Sequence, residues 1–267
     1  MSQIIHIVDE SDPRIAPYRA IRERDLVGRE GRFIAEGKVV LSVLFATRRF
    51  DVESVLILEQ RLAGMETTLA NAPAEMPIYV ATQSVLDAIA GFHIHRGILA
   101  LGRKRPADDA TALLAGLPSQ ALVVALVGIS NHDNVGAIFR NAAAFEADAV
   151  LLDSSSCDPL YRKAVRVSVG AVLKVPYAVL PSHHDISQVL AENNFLQLAL
   201  SPSGECDIGA LPASPRNALY LGTEGEGLPA ALMAQMQTVK IPMSESFDSL
   251  NVAAASAIAL HRLWHGA

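Results

Sequence analysis

The chain has only two cysteines, Cys157 and Cys206, and no C-x-x-C spacing. That scarcity excludes a disulfide-stapled scaffold and a thiolate zinc site. Long apolar runs are missing too: none reaches the roughly 18 residues of a membrane-spanning helix. The opening MSQIIHIVDESD lacks the basic and apolar regions of a signal peptide. Aromatic residues make up 5% of the chain and charged residues 19%, but hydrophobic residues reach 51% of 267, enough for one large or two modest cores. No internal repeat or low-complexity tract interrupts it. These features describe a globular, soluble protein, and we expect a cytoplasmic one.

A basic excess is also absent from the whole: the formal charge is −6 and the pI about 5.7, unlike the footprint of a phosphate binder. The average conceals a division. Residues 1–106 carry 14 Lys and Arg against 13 Asp and Glu, leaving 8 against 15 for residues 107–267. Between Arg14 and Arg49 there are nine basic residues, eight of them arginine, and four acidic ones. Two readings stay open for this cluster: a contact for a polyanion, since the planar guanidinium suits phosphate, or a solvated face held by ion pairs. A second basic group, Arg96, Arg103, Lys104 and Arg105, lies at the end of the same region.

Apolar strands alternate with amphipathic stretches throughout. Strands are expected at 4–8, 33–36, 54–58, 78–81 and 98–102, with helical patterns at 15–24, 38–46 and 83–90. That is a small α/β unit, residues 1–106. A stretch rich in Pro and charge, 107–120, reads as a linker with one helical turn. The second unit, 121–267, opens on ALVVALV, a run suited to a strand buried on both faces of a parallel sheet. Further strands at 149–152, 177–180, 196–200, 218–221 and 238–241 predict a mainly parallel sheet with helices on both sides.

Ligands of such sheets sit beyond the carboxyl ends of the strands, which selects three loops: 128–136, 222–227 and 243–251. In the first, Asn134 is placed to cap a helix, and Arg140 stands four residues after Gly136, so the guanidinium is expected over a gap facing the strand ends. In the second, GTEGEG departs from the dinucleotide fingerprint, and Glu224 and Glu226 would repel a pyrophosphate; backbone donors remain for a neutral or cationic ligand. In the third, Ser249 precedes a long Ala-rich helix as its expected cap. His93-x-His95 lacks a neighbouring Cys, Asp or Glu, so no metal site is expected there; His132 is the histidine nearest a functional loop, and His183-His184 start a surface helix.

Taken together, Asn134-x-Gly136-x-x-x-Arg140, Gly222-x-Glu224-x-x-Gly227, and Ile241-Pro-Met followed by Ser249-Leu-Asn251-Val resemble the three ordered motifs of the SpoU (TrmH-like) family of SPOUT RNA ribose methyltransferases. The resemblance spans residues 121–263. Phe33-Ile-Ala-Glu-Gly37 and His95-Arg-Gly-Ile-Leu-Ala100 resemble the family's accessory RNA-binding domain. The family implies a C-terminal trefoil knot, S-adenosyl-L-methionine held in it, and a homodimer formed through that domain. It places Gly222, Ile241 and Leu250 against the cofactor, and makes Asn134, Arg140, Glu224, Ser249 and Asn251 the catalytic set. Many members have Gly where Glu245 stands and Ser where Ala253 stands. By analogy the substrate is ribosomal RNA; transfer RNA, or a non-catalytic RNA-binding protein of the same fold, are the alternatives.

The matched positions include no Lys, Tyr or Asp. Arg140 stays protonated under ordinary conditions, which suits it to stabilising charge rather than to removing a proton.

Overall fold

A computed structural model describes residues 3–19, 23–90, 97–106, 108–244, 246 and 248–264. The chain divides into two compact units, residues 1–106 with 158–174, and residues 107–157 with 175–267.

In the first unit, β1 (Ile4–Ile7), β2 (Arg32–Glu36), β3 (Asp51–Leu58), β4 (Ile78–Ala81) and β5 (Ile98–Arg103) form one sheet in the order β1-β4-β3-β5-β2. β1 and β3 flank β4 in parallel, and β5 runs antiparallel between β3 and β2. Helices α1 (Glu23–Gly28), α2 (Lys38–Thr47), α3 (Glu66–Leu69) and α4 (Gln83–Ala90) connect the strands. The helical pattern expected over 15–24 is interrupted. Pro13–Tyr18 is a 3-10 turn containing Pro17, because proline offers no N–H to an α-helical ladder, and among the described residues the α-helix covers Glu23–Gly28. Ile15 and Tyr18 of that turn are nonetheless buried with Leu56, Leu86 and Leu101. The Tyr18 hydroxyl shares a 2.7 Å hydrogen bond with Ser54 Oγ, and burial pushes the phenol up from its ordinary pKa.

Three arginines of the cluster are engaged with their own unit. Arg14 pairs with Asp12, Arg19 donates to the carbonyls of Glu10 and Asp12, and Arg32 pairs with Glu30 and Glu53. From the second basic group, Arg103 pairs with Glu53, Arg105 with Asp51 and Lys104 with Asp158. For these residues the ion-paired reading fits better than that of waiting phosphate contacts. Arg22 and Arg96, with His93 and His95, lie outside the described residues.

The second unit begins earlier than the strand at 121. Within the stretch read as a linker, α5 (Ala110–Ala115) is capped by the Asp109 carboxylate, which accepts from Ala112 N, and it buries Ala110 and Leu114 in the second core. Then come β6 (Ala121–Leu126), α6 (His132–Ala144), β7 (Ala149–Asp153), α7 (Arg162–Val167), α8 (Ala171–Lys174), β8 (Tyr177–Leu180), α9 (His183–Glu192), β9 (Leu196–Leu200), β10 (Cys206–Asp207), β11 (Arg216–Leu221), α10 (Ala230–Met233), β12 (Gln237–Lys240) and α11 (Val252–Leu263). The sheet order is β10-β12-β9-β11-β6-β7-β8, and every pairing is parallel. All six residues of β6 are buried, as the uninterrupted apolar run predicts for a strand between two neighbours. β11 enters between β6 and β9, both earlier in the chain, and β12 then crosses to the far side of β9. This crossed order accords with the knotted domain that the resemblance implies.

The segment linking β7 to β8 belongs to the first unit. There α7 packs on β2 and α8 on α2, and Arg162 pairs with Glu36, a carboxylate buried at the end of β2.

Candidate active site

β12, β9 and β11 are neighbours running the same way, so their carboxyl ends open along one edge. A pocket of about 330 Å³ lies there, lined by residues 200–202 after β9, 221–225 after β11, Ile241 and Met243 after β12, and 249–252 at the start of α11. It brings together Gly222, Glu224, Ile241, Ser249, Leu250 and Asn251.

The loop from Gly222 to Gly227 closes on itself through hydrogen bonds between Thr223 and Gly227. A Cβ at Gly222 would come within 2.4 Å of the Gly227 and Leu228 backbone, while Gly225 and Gly227 hold φ of 95° and 71°. The glycines therefore answer to a tight turn and close backbone packing. They present Glu224 at the pocket wall.

Glu224 Oε1 accepts from two amides, Asn134 Nδ2 at 2.8 Å and Asn251 Nδ2 at 2.7 Å, and Asn251 Nδ2 also reaches Asn134 Oδ1 at 3.1 Å. Asn251 is fixed from its other end. Its Oδ1 accepts from Ala253 N and Ala254 N and caps α11, in place of the expected Ser249. Ser249 is exposed on the pocket wall and has no hydrogen-bond partner among the described residues, so its hydroxyl faces whatever enters.

Asn134 is likewise not a cap. Asn131 caps α6 by accepting from Asp133 N, which leaves Asn134 in the first turn, buried, with its amide free for Glu224 and Asn251. Arg140 does not join them. It lies six residues further along α6, about 240° round and about 9 Å along the axis, exposed, outside the pocket lining and with no ion-pair or hydrogen-bond partner among the described residues. Gly136 is buried while Arg140 is exposed, so the spacing of four does not aim both at the strand ends. The loop 128–131 supports the site without lining it. Gly128 N and Ser156 donate to Asp153, which is buried, and a Cβ at Gly128 would meet Thr223 Cγ2 at 2.8 Å.

Ser201 and Pro202 also line the pocket and were not selected from sequence. Their signal was available, since they follow a predicted strand directly. Among the described residues no cluster of His, Cys, Asp or Glu is able to hold a metal ion, and no helix is long and apolar enough to cross a membrane.

The lining suits a ligand with apolar faces and a positive centre: Leu200, Leu221, Ile241, Leu250 and Val252 form the walls, and among the described residues Glu224 is the one charged side chain and no Lys or Arg takes part.

A family model described as the SpoU rRNA Methylase family matches residues 121–261. An uncharacterised tRNA/rRNA methyltransferase of Mycobacterium bovis is 38% identical over 264 residues, covering 96% of this chain and 90% of that protein. An AdoMet-bound rRNA methyltransferase from Sinorhizobium meliloti has a similar structure, with a TM-score of 0.82 at 20% identity, covering 97% of each chain. An RNA 2'-O ribose methyltransferase matches with a TM-score of 0.78 at 25% identity over 97% of this chain and 98% of that one. With more than half of its length matched by the family model and this relative aligned nearly end to end, the chain belongs to the SpoU rRNA Methylase family.

Proposed function

We propose that this SpoU-family RNA methyltransferase transfers the methyl group of S-adenosyl-L-methionine to a ribose 2'-hydroxyl, with ribosomal RNA as substrate, in the cytoplasm. The observation that carries this reading is the pocket beyond β9, β11 and β12, where Gly222, Ile241 and Leu250 meet the Asn134–Glu224–Asn251 group. The cofactor fits that lining: among the described residues a sulfonium cation finds the Glu224 carboxylate and no opposing cation, and its apolar faces find Leu and Ile walls. Gly222, Ile241 and Leu250 would hold it. When bound, it supplies a methyl group already activated by positive charge.

The chain's own task is to orient a weak nucleophile and stabilise its developing charge. Transfer would join the ribose oxygen to the methyl carbon as the carbon–sulfur bond breaks, leaving a neutral thioether, and the hydroxyl proton would pass to a phosphate oxygen or water. Asn134 and Asn251 hold Glu224 in one orientation, and the exposed Ser249 hydroxyl is available to the ribose. Arg140 is suited to hold an RNA phosphate beside the reacting oxygen through its planar fork. Because it stands away from the pocket of its own chain, that role calls for a homodimer formed through the second unit, each protomer lending Arg140 to its partner's pocket.

Incubation with labelled S-adenosyl-L-methionine and total cellular RNA tests the reading. Base-stable ribose label in the ribosomal size class is expected. Label only in the transfer-RNA class would redirect the substrate, and no label in any class would leave an RNA-binding protein without catalysis.

A further inference from the structure

The first unit contains a cavity of about 550 Å³ where α2 begins, lined by Lys38, Val39, Arg61, Gly64, Ile98 and Val169 among others. Exposed apolar side chains stand beside it. Val39 is 59% exposed and Val169 37%, large apolar side chains left out of the core beside a concave surface. Val169 holds φ at 54°, a conformation that branched side chains avoid, next to Gly170 at 87°. Strained backbone of this kind gathers where a ligand is met.

Two cations at its rim stand apart from any carboxylate of the described residues. Arg14, Arg32, Arg103 and Arg105 are each neutralised by a carboxylate of their own unit. Arg61 is exposed and has no acidic partner among the described residues, and Lys38 Nζ donates only to the Gly64 carbonyl, at 2.8 Å, which keeps its charge over the cavity. Among the described residues the lining includes no carboxylate. Unpaired cations around an apolar hollow complement one class of partner, a flat apolar ring flanked by phosphates.

We propose that this cavity receives one unstacked nucleotide of the RNA substrate, its base against Val39 and Val169 and its flanking phosphates on Lys38 and Arg61. The proposal rests on the RNA reading above. It assigns substrate capture in the first unit to these two cations in place of Arg14, Arg19 and Arg32.

The test uses the full chain and a single-stranded mixed-sequence RNA oligonucleotide, with binding followed by fluorescence anisotropy across a salt series. Arg61→Glu changes an exposed side chain and leaves the fold intact. It is expected to weaken binding about tenfold and to lower the salt slope by about 0.7 for the lost phosphate contact. Val39→Ser is expected to weaken binding at every salt concentration without changing the slope, whereas Arg14→Ala changes neither. With 4-thiouridine in the oligonucleotide, irradiation is expected to cross-link peptides carrying residues 38–40 or 169, and a free nucleoside monophosphate is expected not to compete. Unchanged affinity and slope in Arg61→Glu, with cross-links elsewhere, would overturn the cavity assignment while wild-type methylation of RNA still stood. Competition by the free nucleotide would overturn the RNA occupant in favour of a small-molecule site. Failure of the wild-type chain to methylate any RNA would overturn the underlying reading instead.

Discussion

Asn251 donates its amide to the Glu224 carboxylate at 2.7 Å while its carbonyl oxygen caps α11, so one side chain fixes both a helix start and a pocket wall. The two roles are separable. Asn251→Asp keeps an acceptor for Ala253 N and Ala254 N but sets a second carboxylate against Glu224. Because aspartate caps as well as asparagine, the start of α11 is expected to hold, while like-charge repulsion disturbs the aligned group and turnover falls on the order of 100-fold. Asn251→Ala loses both roles and is expected to cost about 1 kcal/mol of stability as well. A fully active Asp variant would remove the amide from the mechanism.

Cofactor affinity distinguishes the two kinds of contact in the pocket. Gly222→Val places a branched side chain where even a Cβ meets backbone at 2.4 Å, so it should abolish binding measurable by calorimetry. Leu250 is 39% exposed, and Leu250→Ala trims only a wall; a loss of about 1 kcal/mol, or roughly fivefold in affinity, is expected. Equal losses would show that the glycine loop is not what shapes the pocket.

Arg140 offers a test of shared sites. Arg140→Ala and Asn251→Ala should each be inactive alone. Co-refolded in equal amounts they should regain about a quarter of wild-type activity, since half of randomly assembled dimers contain one complete site. A mixture as inactive as its parents would place Arg140 at the pocket of its own chain, and an active Arg140→Ala would place it outside the reaction.

Asp12 provides a pH prediction in the first unit. The hydrogen bond from the Arg14 side chain, with a second from its backbone N–H, holds the carboxyl at about 2, below its ordinary 3.8. A depressed folded-state pKa stabilises the fold above the unfolded value, and the contribution disappears as pH falls from near 4 through 2. Carbon-13 titration should find the Asp12 midpoint near 2 and show it rising toward 3.8 in Arg14→Ala. A midpoint insensitive to Arg14 would refute the cause.

The strands and the pocket were legible because the parallel sheet imposes uninterrupted apolar runs, and its loops fall at fixed ends. Gly222, Ile241 and Leu250 share one pocket as a consequence. The caps were misassigned for a local reason: Asn131 and Asn134, like Ser249 and Asn251, are cap-forming residues two or three apart, and only the hydrogen bonds show which one starts the helix. The direction of Arg140 was misjudged because a spacing of four shows that two residues share a face but not which face is buried. The pairing of Arg32 and Arg103 with Glu53 was illegible because that partner stands 21 and 50 residues away along the chain, whereas the Arg14–Asp12 pair is local.

The residence of α7 and α8 in the first unit, although they link β7 to β8 of the second, makes the two units poor modules for dissection. A fragment cut after Pro106 would keep residues 158–174 but lose β2 and α2, against which those helices bury their apolar faces. Such a fragment would carry a newly uncovered sticky surface on a connection within its own sheet, and low solubility or aggregation is its expected failure. The chain must cross between the units at 106, 157 and 174, so domain exchange among relatives would need to move two separate pieces of sequence together.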